Sequence, residues 1–351
     1  MPGLRSEVSR LILGTLDLHQ FSSEFVDEML NEWLVVGGNC IDTARDYGAG
    51  ASERILGRWL RRAEVTNSVV IITKGGHPDT RSENRVNPRD IRADLEKSLD
   101  ALQRDTIDLY LLHRDDPAVP VGEIIDALNE VLAEGRILAF GASNWSTKRL
   151  GDADDYASSH GLAGFSCSSP NLSLAVQNEP PWPGCISASD VESRRWYENT
   201  QLPLLAWSSQ AGGFFTGIYS PSERSHADAV RVYYSEDNWL RARRAQQLAE
   251  IKGCTTHEVA LAWVLHQRFP TCAVIGAHSV DELRSSIQAL DVELSPDEVR
   301  WLNLELSRLP DLNSGLASQR QFRGKSDCSL PGAKSAIHWS ARHHDDSDSR
   351  L

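Results

Sequence analysis

Short apolar runs and helix-period segments alternate along this chain from Leu11 to about Leu306, and that rhythm constrains the fold more than any other feature. Strands separated by helices favour a parallel sheet, because parallel neighbours need a crossover long enough to hold a helix. The runs read Leu11 to Leu16, Asn39 to Asp42, Val69 to Lys74, Ile107 to His113, Ile137 to Ala142, Gly164 to Ser168, Leu202 to Trp207 and Cys272 to Gly276. Between them, Phe21, Phe25, Met29 and Trp33 recur at helical spacing before Gly37-Gly38, and Ile55 to Leu60 reads as the next helix. Asn87-Pro88 reads as an N-cap with proline at the first helical position, ahead of a stripe of Ile91, Leu95, Leu99 and Leu102. Ile124, Ile125, Leu128, Val131 and Leu132 form a further stripe closed by Gly135.

Eight such strands predict an α/β fold, a closed (β/α)₈ TIM barrel forming a single domain over residues 1–309. The competing architecture is an open doubly wound sheet. It normally carries a glycine-rich phosphate turn after its first strand, and Leu13-Gly14-Thr15-Leu16-Asp17 is not one. Two segments break the rhythm: Asn171 to Val191, with Pro180-Pro181-Trp182-Pro183-Gly184, and Gly212 to Val232. Both follow predicted strands and are expected to lie over the barrel mouth. Residues 310–351 read as a polar C-terminal tail, expected to be poorly ordered.

Composition narrows the function classes. With 36 basic and 49 acidic residues, a formal charge of −13 and no Lys/Arg tract, neither nucleic acid nor an anionic membrane is expected as a partner. No apolar run reaches membrane-spanning length, and Met1 to Val8 is too polar for a secretory signal. The six cysteines form no CxxC pair and read as reduced thiols of a cytoplasmic protein. Oligomeric state is not legible in the sequence.

Three successive apolar runs end in an ionisable group, Asp42, Lys74 and His113, and Tyr47 follows the first of them closely. Strand ends are where side chains converge on a ligand in parallel α/β folds. A tyrosine hydroxyl, with its pKa near ~10, is a weak acid at neutral pH. A neighbouring ammonium lowers that pKa, and an aspartate keeps the ammonium charged and in place. Tyr47, Lys74 and Asp42 therefore form a candidate proton relay, with His113 placed to orient a carbonyl oxygen. Taken singly, an Asp42–Lys74 pair, a packed tyrosine and a strand-end histidine are each ordinary structural features. Their joint occurrence is what points to chemistry. The set moves a proton but supplies no hydride, so a redox reaction needs a cofactor.

At these residues the chain resembles the aldo-keto reductase superfamily. The resemblance is carried by Asn39-Cys-Ile-Asp-Thr-Ala-Arg-Asp-Tyr47-Gly, Ile71-Ile-Thr-Lys74, Asp108-Leu-Tyr-Leu-Leu-His113 and Gly141-Ala-Ser-Asn-Trp145. It implies NAD(P)H-dependent reduction of an aldehyde or ketone, with Tyr47 as general acid, Lys74 and Asp42 assisting, and His113 orienting the carbonyl. It also implies that Ser143 and Asn144 bind the nicotinamide carboxamide, with Ser169 replacing a frequent glutamine. Trp207 would stack on the nicotinamide where a tyrosine is usual. Ser208, Ser209, Gly276, Ala277 and Ser279 would hold the diphosphate region. Near the 2′-phosphate position stands Glu282, which also reads as part of a Ser279-Val-Asp-Glu282 capping box. His278 and Arg284 lie close enough in sequence to compensate its charge, and the resemblance implies NADP(H) first, with NAD(H) as the alternative.

Asp115 and Trp145 are candidate substrate contacts, since carboxylates and indole faces suit a small polar or sugar carbonyl. The bland alternative makes Asp115 and Asp116 turn residues before Pro117. The competing function is a non-catalytic nicotinamide-binding regulatory or redox-sensor subunit on the same fold. A metal-dependent hydrolase would need a ligand set that these strand ends lack.

Overall fold

A computed structural model of the protein describes residues 1–4, 6–78 and 84–309. Eight parallel strands close into a barrel in sequence order: β1 (Leu11–Gly14), β2 (Cys40–Asp42), β3 (Val70–Gly75), β4 (Ile107–Leu112), β5 (Ile137–Ser143), β6 (Ser168–Ser169), β7 (Leu204–Ala206) and β8 (Thr271–Ile275). Leu11 opposite Ala273 closes the ring between β1 and β8. The first six helices each follow one strand: α1 (Ser23–Val35), α2 (Ala51–Arg62), α3 (Pro88–Leu102), α4 (Val121–Ala133), α5 (Thr147–His160) and α6 (Val191–Thr200). Three more separate β7 from β8, namely α7 (Ala227–Tyr233), α8 (Glu236–Lys252) and α9 (Thr256–Leu265). After β8 come α10 (Val280–Gln288) and α11 (Pro296–Leu302). The expected cap forms ahead of α3, where Asn87 accepts from Asp90 N, and Thr255 with Glu258 closes a capping box at α9.

Strand parity decides what the barrel presents at its mouth. Successive side chains on a strand point to opposite faces. Ile12, Cys40, Val70, Ile72, Leu109, Leu111, Ala139, Cys167, Leu205 and Cys272 pack together in one cluster with Met1 and Val8. Leu11, Ile41, Ile71, Tyr110, Phe140 and Leu204 belong instead to the larger layer between strands and helices. Continuing the inward parity reaches Asp42, Lys74, His113, Ser169 and Trp207 after two residues, and Ser143 and Gly276 after four. The polar mouth is thus the last inward layer of an otherwise apolar barrel.

Some elements differ from the sequence reading. β1 stops at Gly14, and Leu16 is exposed. β6 begins at Ser168 rather than at Gly164, because regular pairing with β5 is confined to Ser168 and Ser169. The irregular stretch after β7 contains α7. The tail at 310–351 lies outside the described residues. Cys40, Cys167, Cys185, Cys254 and Cys272 are free thiols. Among the described residues, no helix is long and apolar enough to cross a membrane.

Candidate active site

Lys74 is the hub of the site. Its Nζ donates to Asp42 Oδ2 at 2.6 Å, to the Thr43 carbonyl at 2.9 Å and to Tyr47 OH at 3.2 Å. An ammonium has three protons, so these contacts use its full donor capacity and fix its position. Tyr47 lies beyond the strand and is returned to the mouth by the turn after β2. Thr43 N and Arg45 N keep bonding to the carbonyls of Ile72 and Lys74, and a 3₁₀ turn over Tyr47–Gly50 follows. Gly48 takes φ 55° there, and a Cβ on it would stand 2.5 Å from the ring of His19. Only glycine fits that close approach.

His113 is buried, and its backbone N–H donates to Gly75 O at 2.7 Å. Its ring makes edge contacts with Tyr47 and His77, at centroid distances of 5.8 and 5.0 Å. Burial, followed by the positive fields of Lys74, Arg114 and His77, pushes its pKa well below 6.5, so the imidazole is neutral at pH 7. For Tyr47, burial pushes the phenol above 10.0 despite the pull of Lys74, and Asp42 adds to the rise. The net direction is opposite to that expected from the ammonium alone. Excluding water destabilises the phenolate more than one shared cation recovers. Burial works against the Lys74 ammonium, but Asp42 and Tyr47 outweigh it and raise the pKa, so Lys74 stays charged.

These groups open onto a cavity of about 1790 Å³ that runs from Asp42, Tyr47, Lys74 and His113 past Trp207 to Gly276, Glu282 and Ser286. Sites for single drug-sized ligands usually occupy roughly 300–1,000 Å³, so this cavity has room for a dinucleotide and a small substrate together.

A sequence profile of the Aldo/keto reductase family matches residues 10–303. The chain belongs to the aldo/keto reductase family. A relative from Bacillus subtilis, the uncharacterized oxidoreductase YrpG, is 30% identical over 315 residues, covering 86% of this chain and 92% of that one. Norsolorinic acid reductase stcV of Emericella nidulans is 27% identical, covering 85% and 78% of the two chains. The putative aryl-alcohol dehydrogenase AAD14 of Saccharomyces cerevisiae is 25% identical, covering 84% and 82%. The fold is shared with the thermostable aldo-keto reductase Tm1743, solved with the inhibitor epalrestat, at a TM-score of 0.65 and 23% identity over 86% of this chain and 96% of that one. The protein is accordingly an NAD(P)-dependent oxidoreductase of the carbonyl-reducing kind.

As an aldo/keto reductase, the chain has walls that suit a nucleotide. Ser208, Ala211, Gly212 and Gly213 all take positive φ, from 48° to 81°. Such runs turn backbone N–H groups into a concavity that attracts anions. No atom lies within 4 Å of where a Cβ on Gly276 would stand, which leaves a phosphate room beside the start of α10. Several expected contacts are already engaged within the protein. Ser209 Oγ donates to Val274 O at 2.7 Å, which leaves its backbone N–H as the free donor. Ser143 Oγ donates to Ser169 O, and Ser169 Oγ to Leu205 O. Asn144 Nδ2 donates to His113 O and Ser143 Oγ, and its Oδ1 accepts from Ile186 N. Asn144 therefore ties the end of β4 to the loop after β6. Trp207 lines the cavity with an indole N–H that lacks a partner.

At the far end, Ser279 caps Glu282 N as expected, but the Glu282 carboxylate reaches back to His278 N at 2.8 Å, one residue before the cap. Arg284 does not compensate Glu282, because its guanidinium turns to Glu32 on α1 at 2.8 Å. Ser285 and Ser286 bond to His257 and Gln210.

The structure separates the two substrate candidates, placing Asp115 at the cavity and Trp145 away from it. Trp145 is 1% exposed and does not line the cavity. Asn144, at φ 61°, turns the chain so that the indole packs against Phe165 and donates to Arg114 O. Asp115 borders the cavity, but both carboxylate oxygens accept from Arg149 Nε, at 3.2 and 3.1 Å. The tryptophan at the mouth is Trp182, half-exposed in the proline-rich loop and 6.2 Å from the ring of Trp207. The Pro-Pro-Trp-Pro-Gly sequence was the available signal for it.

Proposed function

We propose that this aldo/keto reductase reduces a small polar aldehyde or ketone to an alcohol, with Tyr47 as the general acid. The observation carrying this reading is the three-way contact in which Lys74 bridges Asp42 and the Tyr47 hydroxyl. Bound nicotinamide supplies the hydride to the carbonyl carbon. As negative charge grows on the oxygen, Tyr47 passes its proton there, and Lys74 stabilises the phenolate left behind. His113 acts as a neutral donor. Its buried Nδ1 has no partner, which is tolerable for a lone pair but costly for an N–H, so the proton belongs on Nε2. Trp207, which lines the cavity together with Ser143, offers the face on which the nicotinamide would lie. A regulatory subunit that only binds coenzyme would not need this proton machinery.

The test is coenzyme oxidation with 4-nitrobenzaldehyde and a panel of polar carbonyls. The reductive rate is expected to stay level from below pH 6.5 to above pH 10.0, because His113 charges only below its usual range and Tyr47 ionises only above its own. Coenzyme binding without turnover across the panel would return the protein to the regulatory class.

NAD(H) is proposed over NADP(H). Among the described residues, Lys74 and Arg114 are the only lysine or arginine lining the cavity, and the adenine end carries Glu282. A carboxylate and a 2′-phosphate about 4 Å apart in water repel by about 1 kcal/mol per charge pair, close to fivefold in affinity. Glu282→Gln should lower the KM for NADP(H) about fivefold and leave that for NAD(H) unchanged. Equal changes for both coenzymes would remove Glu282 from this role.

A further inference from the structure

One charge in the cavity has no role in the proton relay. Arg114 is 9% exposed, follows His113 directly and lines the same wall as Tyr47, Trp182 and Trp207. Its Nη1 donates to the His113 carbonyl at 2.9 Å, which holds the guanidinium beside the catalytic imidazole. No carboxylate among the described residues pairs with it. The adjacent acids turn elsewhere: Asp115 to Arg149, and Asp116 Oδ1 to Ala118 N. The loop after β6 closes over the arginine stem, where a Cβ on Gly184 would stand 3.3 Å from Arg114 Cδ and 3.5 Å from Nε. Burial raises the pKa of Tyr47 and Cys185 and lowers that of His113, and the Arg114 charge opposes the first two shifts and adds to the third.

A guanidinium withdrawn from water without an anion is costly, and a carboxylate matched to its planar fork offsets that cost with charge-assisted hydrogen bonds. We infer that Arg114 is the substrate-specificity residue of this site and binds the carboxylate of a carbonyl substrate that also bears an acid group. The inference rests on the carbonyl-reductase reading above and adds the substrate class to it. The net charge of −13 makes this a local preference rather than a general attraction for anions.

The experiment is calorimetry on the protein saturated with oxidised coenzyme, titrated with 4-acetylbenzoate and, separately, with its neutral methyl ester. Neither ketone can be turned over under these conditions. The acid should bind the wild type about 10- to 100-fold more tightly than the ester, the range for a hydrogen bond to a charged group. Arg114→Met should abolish the difference, and Arg114→Lys should keep part of it. Equal binding of acid and ester by the wild type overturns the inference, as does failure of both to bind. So does a preference that survives in Arg114→Met. The wild-type comparison decides the matter even if a variant fails to fold. Wild-type turnover of neutral 4-nitrobenzaldehyde together with equal binding of acid and ester sinks this inference and leaves the carbonyl-reductase reading standing.

Discussion

Tyr47→Phe lowers kcat for carbonyl reduction by about 10²- to 10⁴-fold, the usual contribution of a positioned general acid. The ring stays, so its edge contact with His113 and the packing of the turn over Tyr47–Gly50 persist, and only the proton is lost. Coenzyme affinity should stay within about twofold, a change below ~0.5 kcal/mol. Steady-state kinetics paired with coenzyme titration by tryptophan fluorescence separates the two quantities. A kcat within a few-fold of wild type would show that the proton reaches the substrate oxygen by another route. Loss of coenzyme binding in parallel would mean that the hydroxyl shapes the cavity rather than the reaction.

Lys74→Met produces the largest combined effect on stability and activity. The Asp42 and Lys74 side chains are 6% and 4% exposed, and removing the ammonium leaves a carboxylate buried without its counter-charge. Breaking such a pair costs about 3–5 kcal/mol, measurable as a shift of the urea midpoint at unchanged slope. Activity falls as well, because the Tyr47 phenolate loses the cation 3.2 Å away. Replacing both partners by apolar side chains separates the contributions. Asp42→Leu with Lys74→Met should recover most of the stability, since well-packed apolar pairs often match buried ion pairs, while activity stays lost. A single variant costing under ~1 kcal/mol would mean that water reaches the pair.

Much of the site was legible before any coordinates because its residues lie on one parity of short strands. Asp42, Lys74, His113, Ser143, Ser169, Trp207 and Gly276 each continue an inward row after apolar predecessors. Strand ends could therefore be read from local sequence, and Tyr47 lay only five residues past the first of them. β6 was misread by several residues because only two of its residues pair regularly with β5, too few to leave a pattern. Trp145 was misjudged because the left-handed turn at Asn144 is not a sequence signal for asparagine in the way it is for glycine.

What the sequence alone determined is the kind of chemistry: period-two strands within alternating helices must bring their end groups to one mouth, whatever the loops do. The tertiary structure decided how the long charged side chains are spent. Asp115 is bound to Arg149, 34 residues away, and Arg284 to Glu32, 252 residues away. These pairings leave Arg114 without a carboxylate partner among the described residues and Glu282, at the far end of the cavity, beside His278 rather than Arg284. The physical reason is reach. A strand side chain points where its backbone sends it, whereas arginine and glutamate have several rotatable bonds and choose among partners that only the closed barrel brings near.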